Sequence, residues 1–261
     1  MDLEGQVAIV TGAGKPESIG RAAALGLARQ GASVVIGDLY EEGFEGAVQA
    51  IERLGRRCLC VKMDAANQAA VQAMVHQAAR AFNNKIDVLI NAVGGSWAIT
   101  AEDLNQAPSG EQFVGVTNCT LEQWRTIVGA NLDSAFYAAQ AVAPYMYRQR
   151  YGRIVNFSSI AARRGVKPDQ DSSSSGPYAV AKAGIIGLTK QLALEMAPYG
   201  VTVNCVAPGV IASWRMKARE GSDQRMRAMR LRSRWAAWGR PRTWPPWWWR
   251  CAARRWATSP A

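Results

Sequence analysis

The chain contains one histidine, His76, in 261 residues. A Ser–His–Asp hydrolase would have to use it, and nothing around it in "AMVHQAAR" resembles a nucleophile. A solvated helix position is expected instead. Cysteine is scarce as well. None of the five cysteines forms a Cys-x-x-Cys pair, so neither a disulfide framework nor a metal site is expected. Cys58 and Cys60 have strand spacing and are read as reduced, buried thiols on one strand face, as in a cytoplasmic protein. No apolar run approaches the ~18 residues a membrane span needs. The opening "MDLEGQ" lacks the basic and apolar regions of a signal peptide.

Excess charge is also absent from most of the chain. The formal net charge is +11, but residues 215–261 hold 13 Lys+Arg against 2 Asp+Glu, and residues 1–214 balance to zero. Seven of the ten tryptophans lie in the same final segment. The neutral body therefore gives no reason to expect a nucleic-acid or membrane partner. Its length suits one large α/β domain with a substantial core.

Within that body, short β-rich runs alternate with longer helical patterns. "QVAIVT", "SVVIGD", "CLCVKMD", "IDVLINA", "GRIVNFSS" and "VTVNCVAP" read as strands. Helices are predicted over 18–30, 41–54, 67–82, 121–147 and 178–196. The strands are continuous apolar runs, as when helices cover both sheet faces. The alternation implies right-handed crossovers and a single Rossmann-type α/β fold, a doubly wound parallel sheet spanning residues 1–214. Two long connections, 94–120 and 160–177, leave from strand C-termini, where such sheets bind ligands, and are read as substrate lids.

"VTGAGKPESIGRAAALGLARQGASVVIGD" places glycines directly after the first strand and at a helix start. The chain must turn tightly there, and its backbone must approach a pyrophosphate whose charge the helix N–H groups face. Asp38 ends the second strand. A carboxylate there would accept hydrogen bonds from the ribose hydroxyls and repel a 2′-phosphate, favouring NAD over NADP. Lys15, in the loop, is the feature that would argue for NADP. Further on, Tyr178 and Lys182 of "PYAVAKAG" are four apart and share a helix face. A free tyrosine titrates near ~10 and is a poor base at neutral pH. An adjacent ammonium stabilises the phenolate and yields an acid/base suited to alcohol–ketone interconversion.

Taken in order, these motifs resemble the short-chain dehydrogenase/reductase family over residues 5 to about 214. The glycine turn matches at Thr11, Gly12, Gly14 and Gly20, with Ser18 and Ile19 at the helix start. Asp64 and Ala65 fall at the adenine-contacting position, and Asn91 begins the stretch that continues through Gly94. The resemblance implies catalytic roles for Asn131, Ser159, Tyr178 and Lys182. Ser159 would hydrogen-bond the substrate oxygen, Tyr178 exchange its proton, and Lys182 tune Tyr178 and hold the nicotinamide ribose. Asn131 would position a relaying water. Pro208 and Gly209 form the turn after the sixth strand, and Ile211 and Ser213 fall where the family holds the carboxamide. The implied partners are NAD, a small alcohol or ketone, and further copies of the chain in a homotetramer.

The glycine loop is two residues longer than the usual Thr-Gly-x-x-x-Gly-x-Gly, with Ser18 replacing the middle glycine. That is similar to the enoyl-reductase branch, which spaces its tyrosine and lysine more widely; carbonyl/alcohol chemistry is therefore preferred. Ser159 and Tyr178 are nineteen apart, and Ser159, at a rigid strand end, is preferred to Ser172–Ser175 as the polarising group. Alternatives are a 3-oxoacyl-thioester reductase, a catalytically silent nucleotide-binding protein, and nucleic-acid binding through the Arg/Trp segment.

That segment departs from the family, which continues with Gly-x-Pro-Glu-Asp-Val-Ala and ends on Tyr-Val-Thr-Gly. Tryptophan has the single codon TGG, so "TWPPWWWR" can be written ACG TGG CCG CCG TGG TGG TGG CGC. Moving each codon boundary back one base reads Val-Ala-Ala-Val-Val-Val-Ala. With permitted codons the same shift turns "GRPRT" into Gly-x-Pro-Glu-Asp and brings out Tyr-Val-Thr from "RCAARRWATSP". Residues 215–261 are thus expected to be an aberrant, frame-shifted tail. The sheet's last strand is expected to be missing, with poor stability and weak activity as consequences.

Overall fold

The computed structural model describes residues 3–95, 114–166, 175–209, 211 and 213. Within these, six strands form one parallel sheet: β1 Val7–Thr11, β2 Ser33–Asp38, β3 Cys58–Lys62, β4 Val88–Asn91, β5 Gly152–Phe157 and β6 Val201–Val206. Their spatial order is β3-β2-β1-β4-β5-β6. The chain builds outward from β1 to β3, then crosses back to place β4 on the other side of β1. That reversal opens a crevice at the C-terminal ends of β1 and β4, where Thr11 pairs with Asn91.

Each sheet face buries an apolar layer. Helices α1 Ile19–Arg29 and α2 Phe44–Glu52 cover one side, with Leu27, Ile36, Ile51 and Ile90 fully buried between them and the sheet. The other side is covered by α3 Gln68–Ala81, α5 Ser134–Gln149 and α7 Gly176–Met196, over Met74, Leu89, Met146 and Ile154. Two short helices, α4 Leu121–Val128 and α6 Ala161–Arg164, complete the set. α3 shows the logic of these helices. Asn67 caps it by accepting the Ala70 N–H at 3.1 Å, and Val71, Met74, Val75, Ala78 and Ala79 face inward while His76 is exposed. Truncating Met74 to alanine is expected to cost about 2–5 kcal/mol.

Two expectations change. The helix predicted over 121–147 is not continuous: α4 and α5 are separated by a π-helical turn, Gly129–Asp133, centred on Asn131. An inserted residue leaves the apolar periodicity on either side almost intact, so sequence pattern does not reveal it. Cys58 and Cys60 do share a strand face, but they are half-buried rather than buried, because β3 is an edge strand of the described sheet. The central parts of both long connections, including Ser172–Ser174, lie outside the described residues, as does the segment 215–261.

Candidate active site

β1 ends in a turn whose glycines are required by close approach. Gly12 has φ +73°, and a Cβ there would come within 2.7 Å of the backbone of Ala92 and Val93. A Cβ on Gly14 would strike the Tyr40 carbonyl and lie 2.8 Å from the Asp38 side chain. Gly20 packs so tightly on the Gly12 carbonyl that only hydrogen fits, which lets α1 close on β1. Ser18 caps α1, accepting the Arg21 N–H at 3.0 Å and donating to the Gly12 carbonyl at 3.4 Å. Glu17, at φ +56°, carries the left-handed step of the lengthened loop.

Asp38 is buried at the end of β2. Its Oδ2 accepts the Gly14 N–H at 2.6 Å and its Oδ1 accepts the Tyr40 N–H at 3.1 Å. The carboxylate therefore also fixes the turn it faces. Lys15 reaches across the same mouth to Glu42 at 3.1 Å, its ammonium 4.6 Å from the Tyr40 ring centre.

These elements wall an open cleft lined in part by Gly12, Ser18, Ile19, Asp38, Asp64, Ala65 and Ser213. Asp64 turns its Oδ1 onto the Ala66 N–H at 2.9 Å, which leaves Ala65 as a small wall residue. Asn91 is not in the lining. Its Nδ2 donates to Asn156 Oδ1 at 2.8 Å inside the sheet, and Asn156 in turn donates to Thr189 at 3.0 Å. Gly14 and Gly20 likewise stand behind the surface that the cleft presents.

Two of the catalytic candidates, Asn131 and Lys182, meet at Gly94, just after β4. A Cβ on Gly94 would collide with Asn131 Oδ1 and lie 2.8 Å from Lys182 Nζ, so both side chains converge there. Asn131 is buried within the π-helical turn. Its Nδ2 donates to the Ile127 carbonyl at 2.8 Å and the Gly95 carbonyl at 2.9 Å, and its Oδ1 accepts the Gly95 N–H at 3.1 Å. Lys182 is buried on α7, and its ammonium donates to the Phe157 carbonyl at 2.9 Å. Desolvation lowers its pKa from 10.5 to about 8, because burial penalises the charged form. Its Nζ lies 5.8 Å from the centre of the Tyr178 ring.

Tyr178 enters α7 in its first turn, where Pro177 presets φ and Ser175 caps the helix by accepting the Tyr178 N–H at 3.3 Å. Ser159 follows β5, and its Oγ accepts the Ala161 N–H at 3.2 Å. Pro208 lies beside this segment, its carbonyl accepting the Ile160 N–H at 3.0 Å. Gly209 follows it, and Ile211 accepts the Ser213 N–H at 2.8 Å, which bends the chain toward the cleft.

Sequence reasoning missed Arg21. Buried in the first turn of α1, its guanidinium donates to the carbonyls of Ala13 at 2.8 Å, Gly14 at 2.7 Å and Gly43 at 2.8 Å. It braces the glycine turn against the start of α2. Burial lowers its pKa, while nearby Cys60, Cys58 and Asp38 oppose that shift. The available signal was a cation in a helix's first turn, where the macrodipole disfavours it.

A doubly wound parallel sheet with a glycine-lined cleft at its switch point and an acid closing β2 defines the dinucleotide-binding α/β class. Comparison with known proteins narrows this. The short chain dehydrogenase family model matches residues 6–225, eleven residues beyond the expected limit of 214. A subunit of a hydroxy(phenyl)methylsuccinyl-CoA dehydrogenase from Thauera aromatica is 36% identical over 211 residues, covering 81% of this chain and 75% of its own. A 3-oxoacyl-(acyl-carrier-protein) reductase from Synechocystis is 37% identical over 212 residues, covering 81% and 76%. The crystal structure of an NAD+-bound xylitol dehydrogenase superposes with a TM-score of 0.70 at 29% identity, covering 90% of this chain and 80% of its own. The chain belongs to the short-chain dehydrogenase/reductase family and is an oxidoreductase.

Proposed function

We propose that the chain is an NAD-dependent oxidoreductase interconverting a secondary alcohol and a ketone. The observation that carries this reading is the buried Lys182 on the same helix as Tyr178, its ammonium 5.8 Å from the tyrosine ring. A dinucleotide is assigned to the cleft's other end because Gly12, Ser18 and Ile19 line it at the start of α1, where helix N–H groups favour phosphate. Asp38 beside Gly14 supports NAD over NADP, since a carboxylate repels a 2′-phosphate. A bound nicotinamide would supply the hydride donor or acceptor for the substrate carbon.

The remaining work falls to the chain. Ser159 donates to the substrate oxygen and orients it. Tyr178 passes a proton between its hydroxyl and that oxygen, and the Lys182 charge favours its ionised form. Asn131, held by Gly95 and Ile127, keeps the strand end at Gly94 in place beside Lys182. Gly12, Ser18 and Ile19 would present the start of α1 to the phosphates, with Gly20 packed behind them on the Gly12 carbonyl, and Asp64 and Ala65 would border the adenine. Ile211 and Ser213 take the carboxamide side, after the Pro208–Gly209 turn. A panel of secondary alcohols and ketones assayed with NAD(H) and NADP(H) tests the reading. No turnover with any member, under conditions where NADH binds, would overturn it.

A second reading, a 3-oxoacyl-thioester reductase, is favoured by the names of the Synechocystis and Thauera relatives, both concerned with thioester substrates. Faster turnover of acetoacetyl-CoA than of free ketones would select it. A cytoplasmic homotetramer is the assembly proposed. Among the described residues, no helix is long and apolar enough to cross a membrane. The segment 215–261 is proposed to be the product of a shifted reading frame. Resequencing the gene checks this: codons whose shifted frame does not encode Gly-x-Pro-Glu-Asp and Tyr-Val-Thr would refute it.

A further inference from the structure

β3 runs along one edge of the described sheet, and its Cys58 and Cys60 point to the same side, beneath α2. Their sulfurs are 4.0 Å apart, and both thiols are free and half-buried. Cys60 Sγ also approaches the Phe44 carbonyl, at the start of α2, at 3.9 Å. A disulfide is not the natural product of this arrangement. Two residues along a strand advance about 6.6 Å, at the upper limit of the Cα separation a disulfide tolerates, with Cβ atoms that should stand only ~3.8 Å apart. Closing the bond would require bending β3 out of its register with β2. A bridging ion demands a smaller change: two metal–sulfur bonds of about 2.3 Å at the near-linear angle of a two-coordinate ion span about 4.6 Å, which side-chain rotation alone provides by separating the 4.0 Å sulfur pair by ~0.6 Å.

The surroundings select the kind of ion. No cluster of three or more His, Cys, Asp or Glu side chains suited to a metal occurs among the described residues, so a tetrahedral zinc site is not built here. A two-sulfur site suits a soft monovalent cation of the Cu(I) class, which thiolates select. The charge balance is favourable too. Binding turns two thiols and M⁺ into a bis-thiolate complex of charge −1 and two released protons. The buried Arg21 cation lies on the same face of the sheet: it donates to the Gly43 carbonyl at 2.8 Å, next in the chain to the Phe44 carbonyl that Cys60 Sγ approaches at 3.9 Å.

We propose that Cys58 and Cys60 form a two-coordinate binding site for a soft monovalent cation of the Cu(I) class on the outer strand of the sheet, separate from the dinucleotide cleft.

The test is anaerobic Cu(I) titration of the full chain against a chromogenic Cu(I) chelator. One ion per chain is expected. Cys58→Ser and Cys60→Ser should each weaken binding by more than about a hundredfold, beyond the 10–100-fold typical of losing an outer partner. Cys205→Ser and Cys119→Ser should leave it unchanged. A second measurement needs no variant: Cu(I) loading should protect Cys58 and Cys60, and no other cysteine, from alkylation as read by peptide mass spectrometry, with a two-sulfur shell in X-ray absorption. Equal affinity in all variants, alkylation of Cys58 and Cys60 undiminished by loading, a shell of three or more sulfurs, or a Cys58–Cys60 disulfide formed in preference to the complex would each overturn the proposal.

Discussion

The glycine turn after β1 and the region around Tyr178 and Lys182 are held by different means. At the glycine end, most of the contacts join pieces close in sequence. Gly12, Gly14, Ser18, Gly20 and Arg21 lie within ten residues of one another, and Asp38 joins them from the next strand. Backbone groups do most of the work there, and the site is shaped by the absence of side chains. At the Tyr178 end, Asn131, Ser159 and Lys182 come from three separate elements. Lys182 and Asn131 are fixed by bonds to distant residues, Phe157 and Gly95, while Ser159 is held locally by the Ala161 N–H. A site made of bare backbone resists changes of protonation but not added bulk. A site made of buried polar side chains resists neither.

The largest effect is expected where chemistry rather than packing is removed. Tyr178→Phe should lower kcat by about 10²–10⁴-fold, the usual worth of a general acid/base, while NADH binding measured by fluorescence stays near that of the parent. Turnover close to normal would mean that the tyrosine end is not the reacting end.

Added bulk should act on the other half. Gly12→Val places a branched side chain at φ +73° against the Ala92–Val93 backbone. Its expected cost is about 2–4 kcal/mol in urea unfolding, from strain and overpacking together, with dinucleotide binding lost first. A neutral result would show that the turn yields more readily than its contacts imply.

Protonation should be felt at the catalytic end through Lys182. Its folded pKa of about 8 lies below the free value of 10.5. Between these values the unfolded chain holds a proton that the folded chain does not, so raising the pH through that window disfavours the unfolded state, and stability rises. The gain, at most about 3.5 kcal/mol at ~1.4 kcal/mol per pH unit, should be absent in Lys182→Met when both are unfolded by urea at pH 7.5, 9 and 10.5. Parallel curves for the two proteins would place the buried charge elsewhere.

The smallest effect belongs to Asp38. Asp38→Ala should shift the NAD/NADP ratio of kcat/KM toward NADP by about tenfold, the equivalent of ~1.4 kcal/mol, chiefly by weakening NAD. An unchanged ratio would make Asp38 a turn-fixing residue only, a part it already plays through Gly14 and Tyr40.

Much of this was legible in the chain itself. Continuous apolar runs marked the strands, since a strand covered on both faces has no polar side to display. The glycines after β1, the acid ending β2 and the four-residue step from Tyr178 to Lys182 are short-range patterns that one turn or one helix imposes. What only the tertiary structure decided depends on which distant segments become neighbours. Asn91 lies in the sheet beside Asn156 rather than in the cleft, Lys182 donates to Phe157, and Arg21 spans three carbonyls from two loops. The π-helical turn that carries Asn131 belongs with these. Each satisfies a buried charge or polar group with a partner that the crossover topology supplies, and such a partner leaves no periodic trace in the sequence.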